Sequence, residues 1–447
     1  RHGRTRGNIM TAAPLRNINL DSAVEDVTRR YTEARPESLA RFEKAQQSLP
    51  GGNTRSGLFY PPFPTTIAGG EGARVWDVDG HHYTDFVVEY TAGLYGHSNP
   101  KIQAAVKQAL DDGIVLGGHN TVEARFAEVL CARIPSIERV RFCNSGTEAN
   151  LISLSAMRIA TGRPAIMAFR GAYHGSMLNF AEMEVSLNVP FPMVMADYNH
   201  LDGTMALIEE NAAKLAAVII EPMTGAGGCI SADTEFLQAL RDATAKHGII
   251  LIFDEVMTSR LSPGGLQAIV GVIPDITTLG KYLGGGLTFG GFGGRADLMD
   301  RLDMRTGSTG FHQSGTFSAH PVAMAAGLAT LRQLTPEAFA TLDSLGQRLA
   351  EGLAGLADRH DLSLTGVVAG SLFSLYFADR PPCCYRDLVA CRRTFNPMLF
   401  GRLIERGYFL SHSLGMNALS LAMGHEEIDG LVLAIDESLE AMAADVD

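Results

Sequence analysis

Ile249-Ile250-Leu251-Ile252-Phe253-Asp254-Glu255 is a run of apolar residues closed by two carboxylates. A segment this short and this uniformly apolar reads as a strand buried on both faces, as in a parallel sheet. Asp254 and Glu255 emerge at its carboxyl end, and a carboxylate leaving a dry strand is costly unless something cationic or proton-bearing meets it. Lys281 follows Asp254 by 27 positions, about one strand-helix-strand step, so both groups can reach one pocket. It is delivered by Ile276-Thr277-Thr278-Leu279-Gly280 ahead of Gly284-Gly285-Gly286. A buried lysine of lowered pKa is a candidate Schiff-base former, and a protonated heterocycle nitrogen would satisfy the carboxylate. Either residue taken alone reads as half of a salt bridge.

Further apolar runs at Arg139–Asn144, Ala165–Arg170, Leu215–Pro222 and Phe289–Gly294 alternate with longer helical stretches, which predicts a parallel sheet covered on both faces. Ligands bind outside the carboxyl ends of such strands, so the chemical residues there converge by topology alone. Arg139–Asn144 runs into Ser145-Gly146-Thr147-Glu148-Ala149-Asn150 at the start of a helical pattern, either an anion cradle or a plain N-cap. The spacing is not that of a nucleotide P-loop, and Gly280-Lys281 is followed by Tyr282, so a nucleoside triphosphate is not implied.

On the amino side, Asp21–Gln47 reads as one or two amphipathic helices broken at Pro36. The loop Tyr60-Pro61-Pro62-Phe63-Pro64 leads into strands near 74–76 and 83–88 that turn at Asp79-Gly80. Beyond Pro336 come a helix to about His360, β-like runs at Ser371–Tyr376 and Ala418–Leu421, and a terminal helix from Glu426. The expected division is a disordered tail over 1–20, an N-terminal segment over 21–70 packing with a small domain, a large domain over 71–335, and a small α+β domain over 336–447. Residues 1–9, with Arg1, Arg4 and Arg6, are set aside from the fold as a solvated basic tail or an added leader.

The 447 residues are 46% hydrophobic and 19% charged, enough for a large core and too apolar for disorder. A net charge of −12 gives little attraction for phosphate backbones, so nucleic acid is excluded as a partner. No apolar run is long enough to span a bilayer and no secretory signal is recognisable, which reads as a cytoplasmic protein without a membrane partner. The 48 glycines follow no collagen-like period and suit tight strand-to-helix loops. Cys131, Cys143, Cys229, Cys383, Cys384 and Cys391 show neither a CxxC pair nor zinc-finger spacing, so reduced thiols and no metal are expected.

Seven motifs carry a resemblance: Ser145–Ala149, Gly171-Ala172-Tyr173-His174-Gly175, Ile220-Glu221-Pro222, Phe253–Thr258, Leu279–Gly286, Phe292-Gly293-Gly294-Arg295 and Ser314-Gly315-Thr316-Phe317. In order and spacing they resemble the class III pyridoxal-phosphate aminotransferases, most nearly the glutamate-1-semialdehyde aminomutase-like branch, over about residues 50–445. The resemblance implies a fold-type I α/β architecture, with a large mostly parallel domain and a small α+β domain, in a homodimer whose active sites lie at the interface. It implies pyridoxal 5'-phosphate held by Lys281, with the same lysine later moving protons as general acid and base. It further implies Asp254 on the pyridine nitrogen, Ser145, Gly146 and Thr147 on the phosphate, and Thr316 reaching that phosphate from the other subunit. Tyr173 and Val256 would pack on the two ring faces, Glu221 would lie near the ring hydroxyl, and His174 would accompany Tyr173.

The segments Pro50–Tyr60 and Glu89–His97 are similar to those of the aromatic β-amino acid (β-phenylalanine) aminotransferases. Aminomutases carry a Ser-Trp-Gly-Pro type segment where this chain has Glu89-Tyr90-Thr91-Ala92. The implied reaction moves the amino group of a small-molecule β-amino donor to a 2-oxo acid acceptor. An aminomutase, an amine transaminase and a catalytically silent binding homologue are the alternatives. Arg55 would bind substrate carboxylate, with Phe59-Tyr60 walling a pocket. The family's second carboxylate-binding arginine is missing from Leu410-Ser411-His412-Ser413-Leu414-Gly415-Met416, which leaves His412 as a substitute or as an ordinary surface histidine.

Overall fold

The computed structural model describes residues 20–181, 187–306, 311–357, 359–360 and 363–444; of the tail expected over 1–20, residues 1–19 lie outside them and Leu20 begins a helix. Three sheets organise the described chain. Strands β1 (Ile67–Glu71), β2 (Arg74–Asp77) and β3 (His82–Asp85) form an antiparallel ribbon near the N-terminus. The central sheet uses β4 (Arg139–Cys143), β5 (Ala165–Phe169), β6 (Met193–Ala196), β7 (Leu215–Ile220), β8 (Ile250–Asp254), β9 (Ile276–Gly280) and β10 (Gly290–Gly294). The C-terminal part adds β11 (Leu364–Ala369), β12 (Leu372–Phe377), β13 (Tyr408–Phe409) and β14 (Asn417–Ala418).

The seven strands of the central sheet are ordered β4-β10-β9-β8-β7-β5-β6. Every strand except β10 runs the same way, and β10 is antiparallel to both β4 and β9. The parallel orientation expected for Phe289–Gly294 is thereby corrected. Too few residues separate β9 from β10 for a crossover helix, so the chain can only return antiparallel. Strand β6, a short edge strand, carries no strong periodic signal and was not anticipated.

Alternation along the buried strands sends successive side chains to opposite faces. Phe169, Val218, Leu251 and Phe253 pack on Phe236 and Leu240 of helix Thr234–His247, whereas Ile166, Ile219 and Ile252 pack on Leu154 and Met157 of helix Gly146–Thr161. The same alternation separates the two terminal carboxylates. Asp254 falls on the side of helix Gly146–Thr161, and Glu255 turns the other way into a closed set of bonds from Leu266 N, Gln267 N, Gln267 Nε2 and Thr258 Oγ1 at 2.6–3.0 Å. Glu255 therefore braces a loop.

The C-terminal part is a three-stranded sheet, β11-β12-β14, with helices Pro336–Ala357, Asn396–Glu405 and His425–Ala444. Strand β13 leaves it and pairs in parallel with β3, so the N-terminal ribbon and residues 408–409 share one sheet. Tyr31, Tyr60, Phe63, Tyr83 and Phe86 accordingly lie in one core with Leu349, Phe373, Met398, Leu403 and Ile435. All six cysteines are free thiols. Among the described residues no helix is long and apolar enough to cross a membrane.

Candidate active site

Because β4, β5, β7, β8 and β9 run in one direction, their carboxyl ends bring Ser145, His174, Glu221, Asp254 and Lys281 to one edge of the sheet. Asp254 is 5% exposed and well supplied with donors. Asn150 Nδ2 donates to its Oδ2 at 2.8 Å, the Val256 amide donates to Oδ1 at 3.1 Å, and His174 Nδ1 lies 2.8 Å from Oδ2. Thr278 Oγ1 donates to Asn150 Oδ1 at 2.6 Å and so fixes which end of that amide faces Asp254. His174 is buried, its Nε2 has no hydrogen-bond partner among the described residues, and Nδ1 is the ring nitrogen that meets the carboxylate. His174 thus serves Asp254 directly. Asn150 and Thr278 were not singled out from the sequence, although Asn150 stands one helical turn into the Ser145–Asn150 motif, where the helix aims back at the sheet.

Lys281 sits immediately after β9 with φ 52°, in the left-handed region, and its Nζ donates to the Tyr90 carbonyl at 2.7 Å. Burial pushes its pKa down to about 8; Asp254 and Glu221 oppose the shift, and the charges of Arg260 and Arg55 add to it. Burial pushes the Glu221 carboxyl up, His174 pulls it down and Asp254 raises it further. Glu221 accepts from the Tyr173 amide at 2.9 Å and the Gly225 amide at 2.8 Å, which ties the Gly171–Gly175 loop to the end of β7.

Helix Gly146–Thr161 is capped by Ser145, whose hydroxyl accepts from the Glu148 amide at 3.1 Å, while Glu148 Oε2 accepts from the Asn144 amide at 2.6 Å. The cap reading is therefore true of Ser145. The first helical amides at Gly146 and Thr147 still have no intrahelical acceptor and carry the positive end of the helix dipole. Glycine is needed at 146, since a Cβ there would lie 2.8 Å from a Val256 methyl. Val256 methyls lie against both Gly146 and Gly280. Tyr173, 42% exposed, presents its ring on the open side. Thr316 is exposed and Gly315 lies beside Asn144 of the same chain, so the Ser314–Phe317 segment borders this edge.

Arg55 pairs with Glu89, lies over the Tyr90 ring at 5.6 Å, and its charge reaches both Lys281 and Tyr173. Glu89 and Tyr90 belong to a left-handed turn of four non-glycine residues, Val88, Glu89, Tyr90 and Thr91, with φ of 47°, 50°, 50° and 77°. Each such residue costs about 1–2 kcal/mol, so the surroundings must impose the turn. His412 is not brought to this cluster by the contacts it makes: its ring stacks on Tyr60 at 5.8 Å and meets Phe400 edge-on at 5.3 Å, and burial lowers its pKa. Met416 of the same loop faces the site instead, beside Gly225 and Met257. Tyr60 is buried among Tyr31, Phe400 and His412, so the pocket wall expected of Tyr60 is corrected, while Phe59 is exposed and stacks on Phe42; Tyr90 and Tyr173 are aromatic residues that do lie at this edge.

The donor set fits pyridoxal phosphate. A dry carboxylate steadied by a buried histidine suits a protonated ring nitrogen, an amine of depressed pKa suits an aldehyde, and free amides at a helix start suit a phosphate.

Compared with known proteins, residues 59–383 match the family described as aminotransferase class-III. A β-phenylalanine transaminase from Variovorax paradoxus is 46% identical over 417 residues, spanning 93% of this chain and 95% of that protein. The crystal structure of a β-phenylalanine aminotransferase from the same organism superposes with a TM-score of 0.92 at 44% identity, covering 95% and 98% of the two chains. A glutamate-1-semialdehyde 2,1-aminomutase from Rhodopirellula baltica is 37% identical over 430 residues, 92% of this chain and 97% of that one.

Proposed function

The chain belongs to the class-III aminotransferase family and is a pyridoxal-phosphate-dependent transaminase, and from that premise we propose that its donor is a β-amino acid, aromatic by preference, and its acceptor a 2-oxo acid such as 2-oxoglutarate or pyruvate. The observation that carries the substrate reading is the near full-length similarity to β-phenylalanine transaminase, joined by the placement of Arg55 within electrostatic reach of Lys281. The aminomutase relative is less similar, and Glu89-Tyr90-Thr91-Ala92 forms part of the site edge here.

When bound, pyridoxal phosphate supplies an aldehyde that carries the amino group and a ring that accepts electrons. The residues divide the remaining work. Amides and hydroxyls of Ser145, Gly146 and Thr147 would hold the phosphate, with Thr316 of the partner subunit completing the site. Asp254, steadied by His174 and Asn150, would keep a proton on the ring nitrogen. Tyr173 and Val256 would confine the ring, and Glu221 would lie near its hydroxyl. Lys281 Nζ would hold the cofactor's aldehyde carbon and would hold and move the proton at the substrate carbon. Arg55 receives the substrate carboxylate by leaving Glu89 for a planar two-point pair. Screening β-phenylalanine, α-phenylalanine, 1-phenylethylamine and glutamate-1-semialdehyde with 2-oxoglutarate and pyruvate tests the reading. β-Phenylalanine is expected to turn over fastest; preference for the semialdehyde or the plain amine would overturn it.

Arg55→Ala is expected to lower kcat/KM for β-phenylalanine by roughly tenfold to a hundredfold, the worth of a charge-assisted bond of about 1.5–3 kcal/mol, and to spare 1-phenylethylamine. Equal losses on both would mean that Arg55 only maintains structure. Glu89→Gln should lower KM for β-phenylalanine, because the substrate carboxylate would no longer compete with a resident one.

The homodimer is supported by the exposed apolar residues Leu110, Ile114, Val115 (88% exposed), Leu116 and Phe317. Asn120 Nδ2 bonds the Ala319 carbonyl at 2.8 Å and links the two segments that bear them. Light scattering should give a dimer, and Val115→Lys should shift it toward monomer with loss of cofactor retention; a fully active wild-type monomer would refute the arrangement. A cytoplasmic location is supported by the six free thiols.

A further inference from the structure

Arg260 is 0% exposed and none of its hydrogen bonds goes to a carboxylate. Its Nη1 donates to the Thr91 carbonyl at 2.7 Å, its Nε to Ser371 Oγ at 3.0 Å, and its Nη2 to the Leu419 carbonyl. The three acceptors come from three places: the left-handed turn Val88–Thr91, the turn between β11 and β12, and the residue after β14. A buried cation without a counter-ion is expensive, and neutral donors could serve the same carbonyls more cheaply.

The turn that Arg260 grips is the one that holds Lys281, since the Tyr90 carbonyl accepting from Lys281 Nζ immediately precedes the Thr91 carbonyl accepting from Arg260. Asp85 Oδ1 secures the start of this turn by accepting from the Val87 and Val88 amides at 2.8 and 3.0 Å. The Thr91 end depends on Arg260. Thr91 is fully buried and its hydroxyl has no hydrogen-bond partner, so its side chain does not supply the anchor.

We propose that Arg260 is a positioning residue for the transamination site: its guanidinium clamps the Val88–Thr91 turn to the C-terminal sheet, and so fixes the carbonyl that aims Lys281 while placing an uncompensated positive charge behind that lysine. The proposal rests on Lys281 as the cofactor-bearing residue. Groups felt at Lys281 are Asp254 and Glu221, which favour its charged form, and Arg260 and Arg55, which disfavour it. Tyr282 is the titratable group felt at Arg260, whose own pKa burial lowers to about 10. Removing the Arg260 charge therefore moves the lysine toward its charged form, and loosening the turn moves it out of line.

The test reads attachment of pyridoxal phosphate to apo-protein against pH, alongside turnover. In Arg260→Met the pH midpoint of attachment is expected to rise by about half to one unit, because one of two opposing charges is gone. In Arg260→Lys the charge stays but the fork does not, so the midpoint should move less while kcat falls about tenfold from misplacement of Lys281. Thr91→Gly, which takes the left-handed conformation without help, should return part of the kcat lost in Arg260→Lys. If Arg260→Met does not fold, the Arg260→Lys and Arg260→Lys/Thr91→Gly pair decides the matter alone: recovery supports the clamp, and no recovery overturns it. An unchanged midpoint and rate in a folded Arg260→Met would also overturn it. Borohydride trapping and peptide mapping of the wild type separate the two readings: attachment at a residue other than Lys281 would defeat the lysine assignment on which the proposal rests, whereas attachment at Lys281 with unchanged midpoint and rate in the Arg260 variants would defeat the clamp alone.

Discussion

Lys281→Ala is expected to cut turnover by at least about four orders of magnitude, the upper range for loss of a positioned proton carrier, with loss of covalent attachment added. Its position is set three ways: by the end of β9, by a left-handed backbone at the residue itself, and by the bond to the Tyr90 carbonyl. No other lysine shares that environment, because Lys214 and Lys246 stand at the opposite, amino-terminal edge, just before β7 and β8. Stopped-flow turnover and mass mapping of a borohydride-trapped adduct check it, and a trapped adduct with full activity in the variant would refute the assignment. The depressed pKa gives an independent handle. Wild-type apo-protein should attach the cofactor faster as pH rises through about 8, because the neutral amine is the reactive form. Between that value and the ordinary lysine pKa the unfolded chain binds the extra proton, so stability rises with pH there, and below it the full cost of burying the ammonium is present. Lys281→Met apo-protein should accordingly be more stable than wild type near pH 7, by about 3 kcal/mol, with the difference gone above about pH 10.5.

Asp254→Asn is expected to lower kcat by about two to four orders of magnitude while leaving phosphate binding in place. The amide is nearly isosteric, and its single oxygen can still accept from Asn150 and His174, or from Val256, so folding should survive. Lost is the negative charge proposed to keep a proton on the ring nitrogen. His174→Phe should produce a milder version of the same defect, since it removes the 2.8 Å contact to Asp254 without removing the charge. Single-turnover rates for the donor half-reaction decide the point: near-normal rates in Asp254→Asn would refute the pairing. A drop in His174→Phe as large as that in Asp254→Asn would show the histidine to act on the ligand directly.

The parts of the site legible in the sequence are those that sit at strand ends. Short apolar runs followed by Ser145, Glu221, Asp254 or Lys281 show where the chain leaves a buried sheet, and parallel topology does the rest. Arg55 was legible as a cation beside the site, but not its pairing with Glu89, which lies 34 positions away. Tyr60 misled because an aromatic in a Pro-rich loop near Arg55 looks free to wall a pocket, and the sequence left His412 open between a substitute for the missing arginine and a surface residue. Their burial comes from the N-terminal segment and the C-terminal helices folding onto each other, and that contact is not written in either stretch.

Sequence by itself determined the element types of the central sheet apart from the edge strand β6, the two-sided burial of β7 and β8, the arrival of Asp254 and Lys281 at neighbouring strand ends, and the family. These follow from local period and from motif spacing, which survive without knowledge of partners. Tertiary structure alone decided the antiparallel return of β10, the pairing of β13 with β3, the Thr278-Asn150-Asp254-His174 chain of bonds, and the left-handed turn at Val88–Thr91 with Arg260 beneath it. Each of these is a relation between residues far apart in the chain. The turn is also one that non-glycine residues disfavour on their own, so no local propensity announces it; it exists because buried donors from elsewhere hold its carbonyls in place.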